Sequence, residues 1–394
     1  MMNAQIFSNI ANILERDSKS TTYKFALLRG VIEIAQENSP YIERKADKVV
    51  MPMGLLVYKY ILYYYPLFES ELSVPQIGGS YNLAFQNELS ELIESYQLRG
   101  GVSAFNKDVR GRGIDSGAAT TLLKLARKIA STIKKMPMKH IGYSISGLHY
   151  SIFQPEENGR LNKSDHVDLK YLIDQMGTFS VPADYFEAFN VLGSFISGRD
   201  SILFKWAEFS VKASGESLPM QSVLSQILTA PVTERYVRQA EQYYKELIHT
   251  HGHLHCVWSG KAVTKDYHVD HVIPYSVWGN NDLWNLLPAK GAVNGAKRDK
   301  IPTPELIDSR KEFIVECWEG LHERHQDRFK KELQVSLIGN EATDYWQDKA
   351  IKQLQAASGY LNQHSGFHEW AGSKTNTATA RPRKETSSLF PLKS

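Results

Sequence analysis

Hydrophobic periodicity changes character near residue 254, which limits the chain to a helical part joined to a small mixed one. Up to about residue 230, apolar residues recur at helical spacing: Ile6, Ile10, Ile13 and Leu14, then Phe25, Leu28, Ile32 and Ala35 after the polar Ser20-Thr21-Thr22 entry. A further helix after Pro231 repeats apolar contacts at Val237, Ala240, Tyr244 and Leu247 and ends at the His251-Gly252 corner. From Leu254 to Ile301 the pieces become short and strand-like, with glycines and asparagines between them. The 394 residues exceed what one core usually holds. The expected fold is mainly α with a small α+β insert: a helical domain over 1–230, a mixed domain with flanking helices over 231–322, helices over 323–371 and a disordered tail over 372–394.

Several classes are excluded early. The longest apolar stretch, Val49 to Phe68, holds only thirteen residues between Pro52 and Pro66, and Lys59 sits among them. A spanning helix needs about 20 apolar residues, so this stretch reads as a buried helix and no membrane association is expected. The N-terminal MMNAQIFSNI lacks a basic segment and a long apolar run, which makes the cytoplasm the expected location. Two cysteines, Cys256 and Cys317, build neither a disulfide framework nor a four-cysteine zinc site. A net charge of +3 permits nucleic-acid binding without demanding it.

Charge is less even locally. Val102 to Lys139 carries a net +7, and Gly111, Gly113 and Gly117 precede a helix expected over Ala118 to Lys135. Arg110, Arg112, Lys124, Arg127, Lys128, Lys134 and Lys135 could track phosphates there, or form a solvated face. The aromatics between Val167 and Phe209, among them Phe179, Phe195, Phe204 and Trp206, read as core. Downstream, Thr303-Pro304-Glu305 places a capping residue before a proline and opens a helix through Ile314, Cys317 and Leu321.

Chemistry concentrates between His268 and Asp299, where His268, Asp270, His271, Asn285, Asn294, Lys297 and Asp299 fall close together. Pro274 ends the β-rich run from Tyr267, placing Asp270 and His271 near a strand's end. After a Gly279-Asn280-Asn281-Asp282 turn, Leu283, Trp284, Leu286 and Leu287 anchor the polar Asn285 among them. A short helix from about Val293 or Asn294 puts Asn294 and Lys297 on one face. A neutral imidazole suits proton abstraction from water, and a carboxylate with an amide oxygen suits magnesium. Together they point to metal-assisted phosphodiester hydrolysis. Any one of these residues alone is better read as structural; in this order they are not.

The run His268-x-Asp270-His271-x-x-Pro274, then Asn285, then Asn294-x-x-Lys297-x-Asp299, resembles the HNH nucleases of the ββα-metal fold. It is the form with Asn at the third position, similar to the HNH domain of RNA-guided CRISPR DNA nucleases. The resemblance covers roughly Cys256 to Pro302, about an eighth of the chain. It implies Asp270 and Asn294 as magnesium ligands, with manganese able to substitute, and His271 as general base. It further implies Asn285 positioning the His271 ring, Lys297 near the phosphate, and cleavage leaving a 5′-phosphate and a 3′-hydroxyl. Many HNH proteins carry Cys-x-x-Cys knuckles for structural zinc; Cys256-Val-Trp-Ser259 keeps only the first cysteine, so no structural zinc is expected. His251, His253 and His255 read as loop residues rather than zinc ligands.

The expected function is a metal-dependent DNA endonuclease working in restriction or anti-phage defence, whose activity fades on acidification as the base takes up a proton. A single centre cuts one strand, so a double-strand break would need a homodimer, a second encounter or a partner protein of a defence system. The alternatives are a non-catalytic nucleic-acid-binding or assembly subunit on an HNH scaffold, and an RNA-cleaving nuclease.

Overall fold

The computed structural model describes residues 21–37, 39–70, 72, 74–77, 82–141, 152–193, 202–228, 237–278, 281–339, 345–364 and 368–372, with Ile6, Asn9, Ile10 and Ile13 in addition. It is predominantly helical with small sheets and divides into two compact units, Met1–Val232 and Thr233–Ser394. Leu14, Phe195, the start of the helix expected after Pro231 and nearly all of the expected tail lie outside the described residues.

The first unit begins with α1 (Tyr23–Gln36), β1 (Glu43–Arg44), β2 (Lys48–Pro52), α2 (Met53–Glu69), α3 (Gln86–Gln97), α4 (Gly101–Arg110), β3 (Ile114–Asp115), α5 (Ser116–Lys135) and α6 (Pro137–His140). It continues with β4 (Gln154–Asn158), β5 (His166–Val167), α7 (Leu169–Gln175), β6 (Gly177–Pro182), α8 (Ala183–Gly193), α9 (Ile202–Ala213) and α10 (Met220–Ile227).

α2 is buried along nearly its whole length, as its apolar sequence requires. It passes through Pro66 rather than stopping before it; the proline sits in the last turn, and the Ser70 amide closes on the Pro66 carbonyl at 3.1 Å. Lys59 is accommodated inside this helix by Glu33, 3.1 Å away, and by Glu37. Gly54 permits a close approach to α7, since a Cβ there would lie 2.2 Å from the Leu172 carbonyl oxygen.

A four-stranded antiparallel sheet, in the order β1-β2-β6-β4, interrupts the helical reading of this unit. Its strands carry no alternating signature, because β2 runs directly into α2 as one apolar stretch, while β4 is the polar, exposed Gln-Pro-Glu-Glu-Asn. Phe179, Phe186, Phe189 and Trp206 are buried, as expected for core, whereas Phe204 is exposed.

The second unit begins with α11 (Arg238–His251), which ends at Gly252 in the left-handed region. The hairpin of β7 (Leu254–His255) and β8 (Ala262–Val263) follows. Then come β9 (Tyr267–His271), α12 (Tyr275–Trp278), a 3₁₀ turn at Leu283–Asn285, β10 (Leu286–Lys290) and α13 (Gly291–Lys297). β9 and β10 pair antiparallel, with His271 opposite Leu286 and Asp270 opposite Leu287.

The unit closes with β11 (Ile301–Pro302), α14 (Pro304–Ser309), α15 (Lys311–Arg324), α16 (Gln326–Leu333), a π turn at Gln334–Ile338, α17 (Trp346–His364) and β12 (Glu369–Trp370), which pairs parallel with β11. Thr303 caps α14 as expected, its hydroxyl accepting the Leu306 amide at 3.2 Å. The helix does not continue through Ile314, however. It stops at Ser309, and α15 starts afresh after Arg310.

Candidate active site

The β9–β10 hairpin followed by α13 forms a ββα unit, and its polar side chains are held by the core beneath it. Leu283, Trp284, Leu286 and Leu287 are fully buried, so the chain around Asn285 is pinned. Trp318 of α15 donates its indole N–H to the Trp284 carbonyl at 2.7 Å, and the Tyr244 hydroxyl donates to the Leu286 carbonyl at 2.9 Å.

Three expected site residues meet directly. Lys297 Nζ lies 3.1 Å from Asp270 Oδ1 and 2.6 Å from the His271 carbonyl oxygen. Its ammonium, fully buried, thus ties α13 to the end of β9. The second carboxylate oxygen, Asp270 Oδ2, accepts the Trp258 indole N–H at 2.6 Å. Trp258 stands inside the Cys256-Val-Trp-Ser259 segment, whose first cysteine is its conspicuous feature in the sequence. Its pairing with Asp270 is a tertiary contact with no local pattern to announce it.

Asn285 works one step away from the imidazole. Its Oδ1 accepts the Ile273 amide at 2.8 Å, and its Nδ2 donates to the Ile273 carbonyl at 3.0 Å. The Val272 amide donates to the Asn285 carbonyl at 2.8 Å. Asn285 therefore clamps the backbone just beyond His271. The nitrogen Nε2 of His271 instead meets Asn281 Oδ1 at 2.9 Å, and the Tyr275 ring lies edge-to-face beside the imidazole with centroids 5.6 Å apart. Asn281 appeared in the sequence only as a turn residue.

α13 begins at Gly291, two or three residues before the expected start, with Lys297 buried and Asn294 half-buried. Each Asp270 oxygen accepts one of these hydrogen bonds and keeps a lone pair, so the carboxylate can still take a hard cation. Asn294 stands one turn before Lys297 on α13, and a carboxylate with an amide oxygen is the kind of hard-oxygen pair that suits magnesium, which uses few protein ligands and completes its shell with water and phosphate. His268 is exposed on β9 opposite Ala289. His253 and His255 lie edge-to-face, 5.2 Å between centroids. Among the described residues, no three His, Cys, Asp or Glu side chains gather as a metal-ligating group.

The basic segment of the first unit divides by environment. Arg112 is engaged by both oxygens of Asp108, at 3.0 and 3.2 Å, and half-buried Arg110 faces the Tyr58 hydroxyl. On α5, Leu122, Leu125, Ala126, Ile129 and Ile133 are buried. Arg127 donates to the Leu161 carbonyl at 2.8 Å and Lys134 to Asn158 at 3.2 Å. Lys124, Lys128 and Lys135 are exposed.

Comparison with protein families gives two matches. The model described as "Domain of unknown function (DUF8808)" matches residues 3–227, more than half of the chain. The chain belongs to the DUF8808 family. In this DUF8808 protein a second model, described as "HNH endonuclease", matches residues 256–303, the segment that carries Trp258, Asp270, His271, Asn285, Asn294 and Lys297. The HNH endonuclease match thus lies after the DUF8808 match in the sequence and covers a short segment of the chain. Neither the comparison with curated proteins nor that with solved structures gives a match. No helix among its described residues is long and apolar enough to cross a membrane.

Proposed function

We propose that this protein is a magnesium-dependent endonuclease that hydrolyses DNA phosphodiester bonds, with His271 as general base. The observation that carries the reading is the convergence at the end of β9. There the Asp270 carboxylate is fixed by Lys297 and Trp258, and the adjacent imidazole is fixed at one nitrogen by Asn281.

His271 takes a proton from a water molecule placed in line with the scissile bond. The resulting oxygen attacks phosphorus, the P–O3′ bond breaks, and the 3′ oxygen takes up a proton from solvent, leaving a 5′-phosphate and a 3′-hydroxyl. Asp270 and Asn294 would hold magnesium, which stabilises negative charge on the phosphoryl and leaving oxygens. Lys297 holds the Asp270 carboxylate and the His271 backbone in register, and Asn285 keeps the chain after His271 from relaxing. Both act as positioning residues.

A nuclease centre joined to a leading domain of more than half the chain suits restriction or anti-phage defence in the cytoplasm, the leading domain choosing the target. The exposed Lys124, Lys128 and Lys135 are our candidates for phosphate contact. The test is incubation of the purified chain with supercoiled DNA and, side by side, labelled RNA, in magnesium, manganese or chelator. Metal-dependent nicking of DNA with 5′-phosphate ends supports the reading. Cutting of RNA alone moves the substrate to RNA, and cutting of neither leaves the HNH domain as a scaffold.

A further inference from the structure

Asn281 is placed to govern which nitrogen of His271 carries hydrogen, and α16, beyond the matched HNH segment, is placed to hold Asn281. The Asn281 side chain is buried, and its Oδ1 lies 2.9 Å from His271 Nε2. With the amide oxygen facing the ring, the bond has Nε2 as its donor and leaves Nδ1 as the accepting nitrogen of a neutral imidazole. The main chain of the same residue is held from α16: Arg328 donates to the Asn281 carbonyl at 3.1 Å and to Glu332 Oε1 at 2.6 Å. Glu332 Oε2 accepts the Leu283 amide at 2.7 Å. Two neighbouring main-chain groups on the segment that carries Asn281 are thus bound to one ion pair on a helix outside residues 256–303.

Asn281 Nδ2 is buried without a hydrogen-bond partner among the described residues. Leaving a buried donor unpaired costs about 1–3 kcal/mol. The contact that remains to that side chain is the one from its oxygen to the imidazole.

We propose that Asn281 is a positioning residue that fixes the Nε2–H tautomer and the orientation of His271, and that Arg328 and Glu332 of α16 hold it in place; this rests on the nuclease reading above. The test uses the full chain labelled with ¹⁵N-histidine at alkaline pH, with the His271 signals identified by their loss in His271→Ala. Wild type should show the Nε2–H tautomer alone. Asn281→Ala should give mixed tautomers and lower kcat about 10- to 100-fold, the usual effect of removing an orienting partner, with KM and thermal midpoint little changed. Asn281→Asp, which keeps an acceptor oxygen, should restore the tautomer and most of the rate, and Glu332→Gln should shift kcat in the direction of Asn281→Ala.

An Nδ1–H tautomer in wild type, an unchanged His271 spectrum in Asn281→Ala, or failure of Asn281→Asp to restore the tautomer would each overturn the proposal. If wild type cuts no nucleic acid, the nuclease reading fails and the catalytic role falls with it. If wild type is active but Asn281→Ala leaves spectrum and kcat unchanged, the positioning role alone fails.

Discussion

Lys297 and Asp270 form a buried ion pair: the ammonium is fully buried, the carboxylate nearly so, and the two lie 3.1 Å apart. Such a pair is costly to break from one side, because the partner left behind is a buried, uncompensated charge. We expect Lys297→Met to destabilise the protein by about 3 kcal/mol, and addition of Asp270→Asn to recover part of that loss. A double-mutant cycle on urea midpoints measures the coupling. Strictly additive single losses would show that the pair does not act as a unit.

Asn285 is fully buried and makes two hydrogen bonds to one backbone residue, Ile273. Asn285→Ala strands an amide and a carbonyl in the core, and a loss of about 2–3 kcal/mol is expected from those two groups. Equilibrium unfolding tests this, and a change under about 0.5 kcal/mol, the range of ordinary surface substitutions, would contradict it.

Glu332 gives the second unit a pH dependence. Burial pushes its carboxyl from an ordinary value of 4.5 up to about 7; Arg328 opposes the rise and the neighbouring Asp282 adds to it. Between those values the folded chain keeps a proton that the unfolded chain has released. The contribution to stability is therefore complete below about pH 4.5 and fades as pH rises to about 7. Urea midpoints of wild type and Glu332→Gln should accordingly diverge in the variant's favour as pH rises through this window. A constant difference would refute the linkage.

The basic segment makes a separable prediction. Arg112 is committed to Asp108, while Lys124, Lys128 and Lys135 face solvent. If these three lysines touch phosphates, replacing all of them with serine should flatten the dependence of log affinity on log salt by up to roughly three units, near 0.9 per contact. Fluorescence anisotropy with a labelled duplex reads the slope. An unchanged slope would make them a solvated face.

Much of this was legible in the sequence where a local rule applied. The Thr303-Pro304 cap, the end of α11 at Gly252 and the buried course of α2 follow from capping chemistry and periodicity. The apolar anchors around Asn285 were legible for the same reason. What escaped was tertiary. Strand β4 has no alternation because it is exposed along most of its length, and the break at Arg310 lies within a continuous helical pattern. Trp258 and Asn281 look like an ordinary aromatic and an ordinary turn residue until the fold brings them to Asp270 and His271. Even Asn285, singled out for its chemistry, bonds to the Ile273 backbone, a long-range partner that its local sequence does not name.

In the proposed reaction one imidazole, that of His271, removes the proton from the attacking water. The most direct measurement is the single-turnover rate of DNA nicking in magnesium for wild type and His271→Ala, with folding of the variant confirmed by its thermal midpoint. The variant's rate is expected to be lower by about two to four powers of ten, the usual contribution of a general base, with DNA binding retained. Nicking by His271→Ala at the wild-type rate would contradict it.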